Sequence, residues 1–338
     1  MVCMLAPLRR HLRFSGNSKR IHLFPFLGMK KFFTNVLLFL LPLFVLLVGV
    51  ELVARSIPNN FRYKTEWMDK NKESVQILVL GESATYRAVN TGMLRNAFCL
   101  ANPSQVLEID SFLLSKYIGE CPQLKTVILP LDYGNIFHSS YEDRGGKDWN
   151  LAIYYNLYMG YNKHGIFSKY HYETSCPRIL ISKLSKYLSN TCSGKGYRIS
   201  CDSLGWGGQN NEDQEIKNMS DKEIRSIIKQ NRGFDIKSVQ KNIKYTQAII
   251  TMCKDRNIRL ILLHTPYYYL FNQQIDTKKL GVLEKVVREI KMEEGIEYYD
   301  YRDDARFSMN AEFFMNPTHM LPVGADAFTD ILKKECNL

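Results

Sequence analysis

The stretch Phe32–Val50 constrains this chain more than any other feature. It holds 19 residues without a charge and is rich in Leu, Val and Phe. At a 1.5 Å rise per residue, such a helix spans most of a ~30 Å hydrocarbon core. Pro42 sits inside the run, and membrane helices tolerate proline there. The alternative is a cleaved signal peptide, whose apolar region is usually only about 7–15 residues and ends at a small-x-small site. The residues that follow, Glu51 to Pro58, offer no such site. The sequence therefore predicts a retained transmembrane helix over 32–54. A basic tail (1–31) precedes it, a polar juxtamembrane linker (55–73) follows, and one domain occupies 74–338. Met29-Lys-Lys-Phe-Phe also reads as a natural start, which would make residues 1–28 an extension.

Charge distribution supports this order. The chain of 338 residues carries a formal +11. Arg9, Arg10, Arg13, Lys19, Arg20, Lys30 and Lys31 supply seven of those charges, and the tail has no Asp or Glu. A basic segment before an apolar run is a topology signal that places the tail in the cytoplasm and the domain across the membrane. The domain itself has no basic stripe, so nucleic acid is not expected as a partner. Of the eight cysteines, none forms a CxxC pair, so no zinc site is expected. Cys176, Cys192 and Cys201 cluster in one region. Either one bridge forms among them, which an exported compartment permits, or they are free and Cys99 and Cys253 are small core residues.

Beyond the linker the pattern changes to short apolar runs alternating with amphipathic stretches. Val75–Gly81, Ala97–Ala101, Lys125–Leu131, Ile258–His264 and Ile296–Asp300 read as five strands, the third ending at Pro130. Helices are expected from Pro103, over Ile236–Asp255, over Thr277–Glu293, and from Pro322. Residues 134–235, rich in Tyr, Ser, Asn, Lys and Gly, read as a long insertion with short helices such as Ile179–Leu188. Alternating strands and helices predict an α/β, three-layer doubly wound (flavodoxin-like) parallel sheet. Its active site would lie beyond the carboxyl ends of the strands.

Two places carry residues suited to chemistry. Ser83, two residues past the strand-ending Gly81, would open a helix with its oxygen exposed near backbone N–H groups. Ser is also a common helix cap. Near the other end, Asn316-Pro-Thr-His319 precedes the last helix. An imidazole there can reach back over the strand ends to a nucleophile, with Asn316 orienting it. Tyr154, Tyr155, Tyr158, Tyr161, Trp206 and Tyr267–Tyr269 are either a sugar-binding cleft or packing residues. No P-loop, dinucleotide fingerprint, HExxH or EF-hand pattern occurs, so no cofactor or metal is implied.

Gly81-Glu-Ser83 after the first strand, with Asn316-Pro-Thr-His319 and Gly324-Ala325 before the last helix, resembles the SGNH (GDSL-like) hydrolase superfamily. The nearer likeness is to its membrane-anchored bacterial branch related to cell-envelope acyl-transfer proteins. Leu100–Gln105, Thr126–Tyr133, His264-Thr-Pro-Tyr267 and Asp300–Asp304 fit the same pattern. The resemblance covers about 74–133 and 236–335. It implies Ser83 as nucleophile, His319 as general base and no cofactor. It also implies oxyanion donors from the Ser83 N–H and from the second and third motif blocks, where the candidates are Asn102, Ser104 (with Gln105 beside it) and Asn135.

The sequence departs from the family in three ways. Glu82 replaces the usual Asp, Asp132-Tyr-Gly-Asn135 replaces Gly-x-Asn-Asp, and Asn316 replaces the Asp that normally orients the histidine. An amide accepts the imidazole hydrogen bond but cannot offset an imidazolium charge; in a serine protease the Asp→Asn exchange lowers turnover by ~10⁴. Asp300, Asp303 and Glu312 are candidates to substitute for it in space.

The expected function is that of a single-pass protein of the bacterial inner membrane with a periplasmic domain. It would be an esterase or O-acyltransferase acting on acylated envelope carbohydrate, with a membrane-embedded acyltransferase as a possible partner. The alternative is an inactive binding or accessory protein on the same fold.

Overall fold

The computed structural model describes residues 24–138, 149–162, 171–208, 220–230 and 236–338. Most of the basic tail, with Cys3, and parts of the insertion lie outside the described residues. Helix α1 (Phe24–Ser56) contains the apolar run and its Pro42. Over Met29–Ser56 its mean hydropathy reaches 2.9 in an 18-residue window with no part of that window buried, so it is long and apolar enough to cross a membrane. A separate compact unit begins at Val53.

In that unit the polar segment expected to be a linker is instead helix α2 (Asn60–Asn71). The Asn59 side chain caps it by accepting from the Arg62 N–H at 2.9 Å. Phe61, Lys64 and Met68, spaced three and four apart, are buried. Trp67 stacks on Phe98 with centroids 3.8 Å apart. The segment reads as polar because its inward stripe contains a lysine: Lys64 is fully buried and donates from Nζ to the Ala101 carbonyl.

Five parallel strands form the sheet: β1 (Ile77–Val79), β2 (Ala97–Cys99), β3 (Thr126–Pro130), β4 (Arg259–His264) and β5 (Glu297–Asp300). Their order is β2-β1-β3-β4-β5, the flavodoxin-like arrangement expected of the chain. Residues of β1, β2 and β3 are all buried, as near-continuous apolar runs in a sheet covered on both faces should be. Pro130 pairs with Leu263 inside β3. Leu80 N–H bonds the Ile128 carbonyl and Leu131 N–H bonds Leu263, so even-numbered residues of β3 face β1 and odd ones face β4. Proline's missing N–H thus falls on the β1 side, beside Leu80 and the Gly81 turn, at the end of that pairing.

The connecting helices are α3 (Ser83–Ala88), α4 (Leu107–Tyr117), α5 (Trp149–Tyr154), α6 (Pro177–Cys192), α7 (Asp221–Gln230), α8 (Ile236–Lys254), α9 (Tyr269–Asn272), α10 (Thr277–Glu294), α11 (Ala305–Ser308) and α12 (Pro322–Glu335). The helix expected from Pro103 starts later, at Leu107. Ser104 adopts φ +59°, a left-handed conformation that closes a turn and cannot open a helix. The segment holding His319, expected as a loop, is an antiparallel hairpin of β6 (Phe314–Asn316) and β7 (His319–Met320).

Of the aromatic residues weighed as a cleft, Tyr155, Trp206, Tyr267 and Tyr268 are buried, which supports the packing reading. The seven cysteines in the described residues are free thiols, and Cys99 and Cys253 are buried in the core.

Candidate active site

The order of the sheet reverses between β1 and β3, and the carboxyl ends of these two strands frame the site. Beyond β1 the chain turns at Gly81, whose φ is +121°. A Cβ there would lie 2.3 Å from Pro130 Cγ, so the turn requires glycine both for its dihedral and for the close approach of β3. The turn delivers Glu82 as the N-cap of α3 and Ser83 as its first residue. Beneath it, the Gly81 N–H donates to Asp110 Oδ1 at 2.8 Å, and Gln105 Nε2 donates to the same oxygen at 2.6 Å. Burial pushes the Asp110 carboxyl up to about 7.

His319 enters from the hairpin 236 positions along the chain, and its Nε2 lies 2.7 Å from Ser83 Oγ. Its Nδ1 lies 2.8 Å from Asn316 Oδ1. The Thr318 backbone N–H also donates to Asn316 Oδ1, at 3.1 Å, which fixes that atom as the amide oxygen. Nδ1 must therefore carry the hydrogen and donate to Asn316. In a neutral ring Nε2 is then an acceptor aimed at the serine hydroxyl. Gly324, in the first turn of α12, allows the hairpin to seat: a Cβ there would lie 2.5 Å from the Phe313 carbonyl oxygen.

The structure thus brings Ser83, His319 and Asn316 into one line. The other sequence candidates are placed differently. Asn135 spends its side chain within the turn after β3, accepting from the Asp132 N–H at 3.0 Å and donating to the Pro130 carbonyl at 2.6 Å. Asn102 is fully buried; its Nδ2 donates to the Leu100 carbonyl and Gln105 Oε1, and its Oδ1 finds no partner. Ser104 occupies the left-handed turn before α4. Asp300 accepts from the Arg302 N–H and Asp303 from Asn272 Nδ2. The Glu312 N–H donates to Asn310 Oδ1 at 3.0 Å.

A residue that sequence reasoning set aside lies against Ser83. Ser83 Oγ donates to Glu82 Oε2 at 2.9 Å, while Glu82 Oε1 accepts from the Ala84 N–H at 3.3 Å. The available signal was an acid directly before a serine at a helix start, which reads as an ordinary cap. Asp132, fully buried, accepts from the Gly134 and Asn135 N–H groups, both at 2.7 Å, through Oδ1. Burial, then the nearby Glu82 charge, raises its pKa. His264 has a structural position: Nδ1 bonds the Thr265 carbonyl and Nε2 accepts from the Tyr133 N–H. Burial lowers its pKa, which keeps it neutral and able to accept that bond.

No protein-family model matches the chain, and no curated protein matches it. Among solved structures, it is similar to a crystal structure described as a candidate acylhydrolase from Bacteroides fragilis NCTC 9343. The two share 9% identity over 80% of this chain and 94% of the other, with a TM-score of 0.39.

Proposed function

We propose that this protein is a membrane-anchored serine esterase or O-acyltransferase of the SGNH type, acting on acylated envelope carbohydrate through an acyl-enzyme. The observation that carries the reading is the chain Ser83 Oγ–His319 Nε2–Asn316 Oδ1, at 2.7 and 2.8 Å, at the switch point of the sheet. Those distances match a nucleophile, its base and the group that orients the base.

In the reaction Ser83 Oγ attacks the ester carbonyl carbon, its proton passes to Nε2, and the carbonyl π pair moves onto oxygen. Collapse of the tetrahedral intermediate breaks the bond to the leaving oxygen, which takes the proton from Nε2. Water, or a sugar hydroxyl in the transferase, then repeats the sequence against the acyl-serine. The backbone N–H of Ser83 is the first donor we assign to the oxyanion. The apolar helix would hold the domain on the extracytoplasmic side of a bacterial inner membrane, close to a surface polymer, by the positive-inside rule.

Fluorophosphonate labelling tests the reading. Wild-type protein should incorporate the probe, and Ser83→Ala should abolish labelling. His319→Ala should slow it by ~10² or more, the range general bases contribute. Incorporation that survives Ser83→Ala would refute the assignment. A second reading, an accessory protein that binds envelope glycan without chemistry, is favoured by one observation: position 316 carries an amide, which offers no charge to an imidazolium. Absence of labelling in the folded wild type would select it.

A further inference from the structure

Three contacts run in a row through the site: Glu82 Oε2 to Ser83 Oγ at 2.9 Å, Ser83 Oγ to His319 Nε2 at 2.7 Å, and His319 Nδ1 to Asn316 Oδ1 at 2.8 Å. Each contact needs one hydrogen between its heavy atoms. The serine hydroxyl supplies one and a neutral imidazole, protonated at Nδ1, supplies a second. A neutral histidine beside an ionised Glu82 is therefore one proton short. The third hydrogen sits either on Glu82, donating to Oγ, or on Nε2, making an imidazolium that donates to Oγ while the hydroxyl donates to Glu82. The two forms have the same net charge and interconvert by a shift of protons through the serine.

We propose that Glu82 is a further catalytic residue, which shares one proton with His319 across Ser83 and supplies the negative charge that Asn316 cannot. This rests on the esterase or transferase reading for its catalytic consequence, though not for the proton sharing itself.

In the imidazolium form the shared proton occupies the base. Its loss to solvent leaves Glu82 ionised and Nε2 open. When Ser83 attacks, the hydroxyl proton moves to Nε2, and the Oγ–carbon bond forms as the carbonyl π pair shifts to oxygen. The new imidazolium then has the Glu82 carboxylate one atom away. When the leaving oxygen takes the proton from Nε2, Glu82 is unchanged. A carboxylate placed on the serine side of the imidazole thus does the electrostatic work usually done by an acid on the Nδ1 side.

The neighbouring acidic groups are held toward their neutral forms. Asp132, beyond β3, and Asp110, on α4, are both driven toward their neutral forms by burial. Tyr267, beyond β4, is likewise held as the phenol by burial. Arg87 is the other charged residue on α3, and the hairpin of β6 and β7 holds no charged residue besides His319, with Glu312 just before it. On α12 the first acid, Asp326, accepts from Asn90 Nδ2 at 2.6 Å.

The test uses the full chain in detergent and reads the His319 imidazole by ¹⁵N NMR alongside the pH profile of fluorophosphonate labelling. Glu82→Gln keeps an oxygen for the Ala84 N–H but loses the charge. It should lower the imidazole pKa by about one unit or more, shift the midpoint of the labelling profile down with it, and slow labelling about tenfold or more. Adding Asn316→Asp to Glu82→Gln should restore both the titration and the rate. Glu82→Asp, which keeps a cap but withdraws the carboxylate from Oγ, should move the titration in the same direction as Glu82→Gln. An imidazole titration unchanged in both single variants overturns the proposal. A wild type that takes up no probe sinks the esterase reading instead, and the titration still decides the role of Glu82.

Discussion

At position 316 a single atom decides how much work the rest of the site must do. The Asn316 amide oxygen is fixed by the Thr318 N–H and so orients the imidazole as well as a carboxylate oxygen would. Orientation and charge compensation, which one aspartate often combines, are here assigned to different residues. Asp110 shows the same separation of structure from charge. It is wholly buried, holds the Gly81 N–H, and has its pKa raised by burial to about 7 from the ordinary 3.8. The folded state thus retains a proton that the unfolded chain has already lost. The stabilisation is fully present below about pH 4 and is lost as pH rises through about 7, and it is worth on the order of a few kcal/mol. Asp110→Asn should remove that slope from the melting temperature between pH 4 and 7. A slope of wild-type steepness in the variant would show that another group is responsible.

Among the elements, α3 and the β6–β7 hairpin must meet to within a few tenths of an ångström, and each is braced from a distance. The insertion braces α3. Tyr86 Oη donates to the Ser200 carbonyl at 2.7 Å, the Gly207 N–H donates to the Tyr86 carbonyl, and Trp206 Nε1 donates to the Arg87 carbonyl. The same segment reaches the edge of the sheet, where the Cys99 N–H bonds the Leu204 carbonyl. The hairpin is braced by the close seat of α12. Gly324→Ala should force the Phe313 backbone away and cost roughly 1–3 kcal/mol, as overpacking typically does. Its labelling rate should fall further than that stability loss explains, because His319 moves with the hairpin. Within the insertion, Lys183 donates to Glu173 Oε1 at 2.6 Å and to the Ala54 carbonyl at 2.8 Å, with both ionic side chains buried. Lys183→Met should destabilise the unit by ~3–5 kcal/mol by leaving the buried Glu173 charge without its cation, with the Tyr158 hydroxyl still donating to it at 2.7 Å. Chemical denaturation checks both variants.

Across the whole molecule, the parts most legible in the sequence are those set by local pattern. Buried parallel strands announce themselves as apolar runs, and all five are found within a residue or two of where Val75–Gly81 and its counterparts place them. Ser83 and His319, which the structure brings within 2.7 Å, stood out as candidates because a strand-ending glycine and a pre-helical histidine are local features. What escaped depends on partners remote in sequence. Helix α2 looked like a linker because its inward stripe carries Lys64, whose hydrogen bond to Ala101 cannot be read locally. Glu82 reads only as the residue standing in for the family's usual Asp, because its reach to Oγ depends on how tightly the Gly81 turn closes against Pro130. The apolar helix belongs to this scale too. Full-length protein should stay with the membrane pellet after alkaline carbonate extraction, and removal of residues 1–52 should release the unit that begins at Val53.

The two side chains proposed to react, Ser83 and His319, are 236 positions apart, and the second comes from the β6–β7 hairpin. On the proposed reading, translation must pass that hairpin before the serine gains its base. Nascent or prematurely stopped chains that have already built all five strands would then hold a hydroxyl without its imidazole, and on that reading would leave esters in their path untouched.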